Sequence, residues 1–270
     1  MKMKVAAVQL AASDDVARNL AAAESLIDEA VSKGAQIVAL PETWSCISED
    51  NDLIRANAEP MDGPIVQRLQ AKARAHQIYL HCGSLNERIP GSDKTYNTTV
   101  LLGPTGDPLA TYRKIHLYDV DLGPNQRYQE SAVVAAGSET VVTEIGPLTA
   151  GLAICYDLRF PELFRDLALK GAEAVFMPAA FNAFTGKDHW EILIRARAVE
   201  NQNYMICPDI VGAWGAQGKL CYGRSMIVDP WGTVIAQAPD EPAAIVAEID
   251  TERVAKIRKE LPSLANRRLI

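Results

Sequence analysis

Apolar positions along this chain follow two rhythms. Runs such as "KVAAVQL" (4–10) and "AQIVALPE" (35–42) are apolar almost without interruption, as expected of strands covered on both faces. Between them Val16, Leu20, Ala23, Ile27 and Ala30 recur every three or four residues. That spacing predicts a helix, with Ser13 and Asp14 as cap candidates and Gly34 at its close. A second helix is expected from Pro64 to about His76, followed by strands in "IYLHCGSL" (78–85) and "YNTTVLLG" (96–103). "NERIPGSDK" (86–94) reads as a turn-rich loop between those strands, and "PLATYRK" (108–114) carries the sheet on to Lys114. Periodicity is weak over 115–139, a loop long enough to suggest function.

The rhythm then resumes. Strand 148–154 precedes helix 161–170, and strand 173–178 precedes helix 187–202. Strands near 204–209, 222–229, 231–237 and 243–249 follow, with a final helix from about 251. Strands alternating with helices, then a run of strands, predict one layered α/β domain over residues 1–270 with a mixed sheet.

Composition narrows the function classes. The chain has 270 residues, 48% of them hydrophobic, enough for one sizeable core. No apolar run is long enough to cross a membrane, and the opening "MKMKVAAVQLAASDD" reaches acidic residues too early for a signal peptide. A cytoplasmic protein is expected, so the glycosylation-type triplet Asn97-Thr98-Thr99 carries no weight. A net charge of −7 without a Lys/Arg stripe argues against nucleic acid as a partner. Neither GxxxxGK[ST] nor GxGxxG occurs, so no phosphate-cradling loop is expected. Cys46, Cys82, Cys155, Cys207 and Cys221 are odd in number and form no CxxC pair. Free thiols are therefore expected, with no metal and no cofactor.

Three reactive groups stand just beyond predicted strands: Glu42, Lys114 and Cys155. Sites in layered α/β proteins gather where strand ends and their loops converge. A thiol with an ordinary pKa is only a few per cent thiolate at neutral pH, so it needs a base. A carboxylate can accept its proton, and an ammonium can stabilise both the thiolate and the oxyanion of a tetrahedral intermediate. The N–H of Tyr156, next after the thiol and close to a helix start, is a second oxyanion donor. Spacing alone leaves a plainer reading open: a loop charge, a solvated strand end and a core cysteine.

At these residues the sequence resembles the nitrilase superfamily of carbon–nitrogen hydrolases, over essentially its whole length. "LPETW" is similar to the segment bearing the family's general base, which carries over to Glu42. "YRKIHLYD" is similar to the lysine segment, here Lys114, and "GLAICYDLRFPEL" to the nucleophile segment, here Cys155. "YQESA" matches the region of an additional glutamate that positions lysine and substrate, here Glu130. "FNAFTGKDHWEILIRARAVENQNY" and "YGRSMIVDPWGTV" resemble the Nit-type branch, which includes omega-amidases and deaminated-glutathione amidases. The resemblance implies a four-layer αββα sandwich, a homodimer pairing sheets and helices across a two-fold axis or a higher homo-oligomer built on it, and cleavage of amides rather than nitriles. The implied substrate is a small carboxylate-bearing amide that passes through a thioester on Cys155.

Further residues carry competing readings. Arg159, four residues past the thiol, is suited either to clamp a substrate carboxylate or to stiffen the turn in a salt bridge. Arg127 and Arg224 divide in the same way. Phe181 and Asn182, at another strand end, are candidates for the pocket wall, and His189 for a pocket-lining or interface position. His116 and His189 also admit a Cys–His pairing. Asp157 is expected to order the turn, and Trp190, Ile194 and Ala198 to pack at helical spacing. Arg195 and Arg197 cannot share one helix face, so at least one is expected to pair with an acid such as Glu200. Against the amidase stands a silent relative acting as a binding scaffold, or one that transfers its acyl group to an amine.

Overall fold

Alternation within single strands decides the layering. In a computed structural model describing residues 1–123 and 126–269, Val5 and Ala7 of strand Lys2–Gln9 enter a core that is shared with a second sheet. Their neighbours Ala6 and Val8 face helices instead. The next strand, Ile37–Ala39, repeats this division, with Ile37 and Ala39 on one side and Val38 on the other. Side chains of successive strand residues point to opposite faces, so a sheet covered on both sides reads as a continuous apolar run.

Two sheets result. The first runs 243–250, 2–9, 37–39, 79–81, 95–102 and 85–88, with 108–113 and 134–135 also pairing to 95–102. The second runs 141–145, 148–152, 174–176, 204–207, 226–228 and 234–237. Six helices complete the described residues: α1 (Val16–Ser32), α2 (Asn51–Ala56), α3 (Pro64–His76), α4 (Pro161–Leu169), α5 (Ala183–Asn201) and α6 (Thr251–Glu260). Helices α1 and α3 bury Leu20, Ile27 and Leu69 on the outer face of the first sheet. Helices α4 and α5 bury Phe164, Leu167, Trp190 and Ile194 on the second. Between the sheets the His81 ring stacks on Phe176 at 5.5 Å, and burial lowers the His81 pKa to about 3, which keeps it neutral. The order of layers is αββα.

Each sheet has three adjacent parallel strands at its centre: 2–9, 37–39 and 79–81 in the first, and 148–152, 174–176 and 204–207 in the second. Chain leaving the ends of 37–39 and 148–152 supplies Glu42 and Cys155.

Several local expectations change. Asp15, not Ser13 or Asp14, caps α1, with its Oδ1 accepting the Arg18 N–H at 3.0 Å. The expected loop 86–94 opens with a strand, Leu85–Arg88, because buried Asn86 and Glu87 pair with strand Thr95–Leu102 without any apolar alternation. Helix α5 starts four residues early, where the Asn182 side chain accepts the Phe184 N–H at 2.8 Å. The long 115–139 segment holds a small hairpin, Asp119–Asp121 with Arg127–Gln129. A second hairpin, Val211–Trp214 with Lys219–Tyr222, shortens the strand expected at 222–229 to Met226–Val228. The mixed sheet is two sheets, because inward-facing apolar residues of the second half meet those of the first.

Candidate active site

The loop carrying Glu42 is tied down on both sides. Ser84 donates its N–H to the Pro41 carbonyl at 3.0 Å, the Thr43 N–H reaches Ser84 Oγ at 3.1 Å, and the Trp44 indole donates to the Cys82 carbonyl at 2.8 Å. Gly83 allows this approach: a Cβ there would lie 2.0 Å from the Pro41 carbonyl, and its φ is +65°. Thr43, next to Glu42, takes φ +43°, and Cys155 itself takes φ +46°. L-residues seldom occupy that region, and such strain persists only where surrounding bonds hold it.

Those bonds converge on residues 178–180. The Pro178 carbonyl accepts the Cys155 N–H at 2.8 Å, and the Ala179 carbonyl accepts the Glu42 N–H at 3.3 Å. The Ala180 N–H donates to Glu42 Oε2 at 2.9 Å. One short segment therefore fixes both strand ends.

Lys114 comes from the end of strand Pro108–Arg113, and Glu130 from a short 3-10 turn, Glu130–Ala132. The buried Lys114 Nζ donates to Glu42 Oε1 at 2.9 Å and to Glu130 Oε1 and Oε2 at 3.0 and 2.8 Å. Asn97 Nδ2 bridges the same carboxylates, at 2.8 Å to Glu42 Oε1 and 3.2 Å to Glu130 Oε1. All four predicted groups, Glu42, Lys114, Glu130 and Cys155, line one cavity of about 420 Å³.

Burial is the strongest influence on the Cys155 thiol and raises its pKa; the Glu42 charge adds to the rise, while the Lys114 charge opposes it. The thiol is therefore protonated at rest, with a carboxylate and an ammonium beside it. For Lys114 burial works to lower the pKa, but the charges of Glu130 and Glu42 outweigh it, so the ammonium is held well above its usual range. Such a site can move a proton from sulfur to Glu42 while offering a fixed positive charge to a developing anion.

Sequence comparison agrees with this geometry: the carbon–nitrogen hydrolase family matches residues 4–259. The chain belongs to that family. A deaminated glutathione amidase of Synechocystis sp. is 39% identical over 265 residues, covering 97% of each chain. An omega-amidase of Xenopus tropicalis is 40% identical over 267 residues, 99% of this chain and 95% of that one. The crystal structure of the C. elegans NitFhit protein superposes with a TM-score of 0.91 at 34% identity. It covers 99% of this chain, which spans 65% of that longer protein.

In this carbon–nitrogen hydrolase the remaining predicted residues divide. Tyr156, Arg159, Phe181 and Asn182 line the cavity. The Tyr156 N–H lies ahead of the first i→i−3 bond of its turn, from the Asp157 N–H to the Ile154 carbonyl at 3.0 Å. Asn182 Nδ2 donates to Gln126 Oε1 and to the Tyr128 hydroxyl, both at 2.8 Å. His189 does not line the cavity. It is exposed on α5, its Nδ1 lying 3.2 Å from Arg159 Nη1. Helical phase carries it outward, beside the buried Trp190.

His116 is no partner for the thiol either. It stacks on Phe160 at 3.6 Å with its Nδ1 2.7 Å from Asp157 Oδ1. Asp157 orders the turn as expected, accepting the Tyr112 hydroxyl at 2.6 Å and the Ile154 N–H at 2.8 Å. Arg159 forms no salt bridge with any described residue; its guanidinium lies 5.9 Å from the Tyr156 ring and 5.4 Å from that of Phe181. Arg127 also lines the cavity, whereas Arg224 pairs outside it with Asp240 at 2.7 Å. Both arginines of the α5 pair meet acids, Arg197 lying 2.8 Å from Glu200 and Arg195 3.1 Å from Glu191.

Asn97, Tyr118 and the Ala180 N–H were not expected at the site. Asn97 carried a signal: an amide side chain inside a predicted strand that runs into the core, now 2% exposed. The Ala180 N–H had none, because a backbone amide has no letter of its own.

Proposed function

We propose that this protein is a cysteine-dependent amidase that hydrolyses a small carboxylate-bearing amide to the carboxylic acid and ammonia. The buried Lys114 ammonium, bonded to Glu42 and Glu130 in the cavity that holds Cys155, is the observation that carries this reading. Glu42 takes the thiol proton as Cys155 Sγ bonds to the amide carbon. The carbonyl oxygen becomes an oxyanion facing Lys114 and the Tyr156 N–H. Glu42 then returns the proton to the nitrogen, the C–N bond breaks and ammonia departs, leaving a thioester. Water attacks that thioester, giving a proton to Glu42; the C–S bond breaks and the thiol is restored. Glu130 does no proton work and holds Lys114 in place.

Arg159, half-buried in the cavity wall and without a carboxylate among the described residues, is suited to a substrate carboxylate. Relatives named for an omega-amidase and a deaminated glutathione amidase support a substrate of that kind. The reading takes residues 1–270 as one domain, supported by the core shared between the two sheets. Five free, buried cysteines support a cytoplasmic site of action. A homodimer belongs to the same proposal, with Ile192, Val199 and Trp231 exposed at 69%, 50% and 59% on and beside the outer face of α5. Light scattering of Trp231→Asp against wild type checks it, with dissociation as the expected result.

The decisive experiment adds a five-carbon keto-acid monoamide or deaminated glutathione, quenches in acid and weighs the protein. An acyl adduct on Cys155 that hydroxylamine removes, absent from Cys155→Ala, is expected. Full turnover by the alanine variant would overturn the reading.

A further inference from the structure

Tyr118 lines the same cavity, yet its hydroxyl oxygen is buried without a hydrogen-bond partner among the described residues. A buried phenol left unpaired costs free energy comparable to a lost hydrogen bond, so such a group points to a missing partner. The ring cannot swing away to find one. Its backbone N–H donates to Glu130 Oε2 at 2.6 Å and its carbonyl accepts the Glu130 N–H at 3.3 Å. Its face is packed by Tyr128 and Tyr156, with centroids 5.1 and 5.0 Å away. Tyr118 and Arg159 both pack on the ring of Tyr156, the residue next after Cys155, and all of them line the same cavity. The Arg159 cation there meets no carboxylate among the described residues.

We propose that Tyr118 is a specificity-determining residue whose hydroxyl, together with Arg159, receives the carboxylate of the acyl portion of the substrate. The inference rests on the amidase reading above and names the second half of its anion site. A carboxylate has lone pairs for both a guanidinium and a hydroxyl, so one ligand group satisfies both. Burial is the largest influence on the Tyr118 hydroxyl and raises its pKa, with the Cys155 charge adding to the rise, so the group stays a donor. Its attachment to Glu130, and through Glu130 to Lys114, holds the anion site in register with the groups around the thiol.

Tyr118→Phe removes the hydroxyl and keeps the ring. The test compares a dicarboxylic monoamide with a chain-matched amide ending in a methyl group. The ratio of their kcat/KM values is expected to fall roughly 10- to 100-fold in the variant, the range for a hydrogen bond to a charged group. A second measurement does not need turnover: protection of Cys155 from alkylation by the product dicarboxylate should require about 10- to 100-fold more ligand. An unchanged ratio, or equal losses on both amides, would overturn the proposal, because the hydroxyl would then be idle or acting at the reacting carbon. If no amide is turned over at all, the amidase reading fails, while the protection measurement still judges Tyr118.

Discussion

At the buried end of the cavity the Lys114 ammonium is closed in by Glu42 and Glu130, with its side chain 2% exposed. At the open end the Arg159 guanidinium meets aromatic faces and His189, but no carboxylate among the described residues. A charge deep in protein is tolerated only when paired, so the inner cluster is complete before substrate arrives. An unpaired cation near solvent costs little and leaves its hydrogen bonds for a ligand. On the proposed reading, the contrast separates the groups that act on the reacting carbon from those that select the molecule bearing it.

The largest effect expected from breaking the inner end is that of Cys155→Ala. Turnover should fall by at least about 10⁴-fold with the fold retained, which steady-state rates and circular dichroism together would check. Lys114→Met comes next. It removes the charge facing the oxyanion, so kcat should drop roughly 10³-fold. It also leaves two carboxylates facing each other, at a cost of about 3 kcal/mol in a urea titration. A loss confined to KM would move Lys114 to the recognition end. Glu42→Gln should slow both turnover and alkylation of Cys155 by about 10²-fold or more, and an unchanged alkylation rate would show that another group takes the proton.

At the open end Arg159→Met should raise KM about 10- to 100-fold for a carboxylate-bearing amide. Cys155 should alkylate at the wild-type rate in that variant, so a slowed reaction would erase the distinction between the two ends. The smallest effect concerns pH. The folded-state pKa values of Cys155 and Lys114 are raised above ordinary values of 9.0 and 10.5, so the folded chain keeps protons that the unfolded chain releases. Their contribution to stability is complete below pH 9.0 and is lost progressively as pH rises through the raised values. Urea midpoints measured upward from that pH should therefore fall, less steeply in Cys155→Ala and with unchanged slope in Arg159→Met.

Legibility followed the physics of each feature. The helices α1 and α3 and the parallel strands could be read because apolar periodicity is a local property, and α3 runs from Pro64 to His76 as expected. Strand Leu85–Arg88 and the hairpin Asp119–Asp121 with Arg127–Gln129 could not, since polar side chains hide strands whose pairing comes from distant partners. His189 shared a segment with pocket residues yet lies exposed outside the cavity, meeting its wall at Arg159, because helical phase is settled by which face α5 buries.

Taken alone, the sequence determined the periodic helices and the apolar core strands, the candidate chemistry of Glu42, Lys114, Glu130 and Cys155, and the family in which those four belong together. Their convergence was decided by tertiary structure. The Ala180 N–H reaches Glu42 across 138 positions of chain, and the Pro178 carbonyl holds Cys155 in a conformation its own side chain disfavours. The orphaned Tyr118 hydroxyl likewise exists only in three dimensions. Hydrogen bonds between residues far apart in sequence leave no periodic trace, because they depend on where two independently patterned sheets place their strand ends.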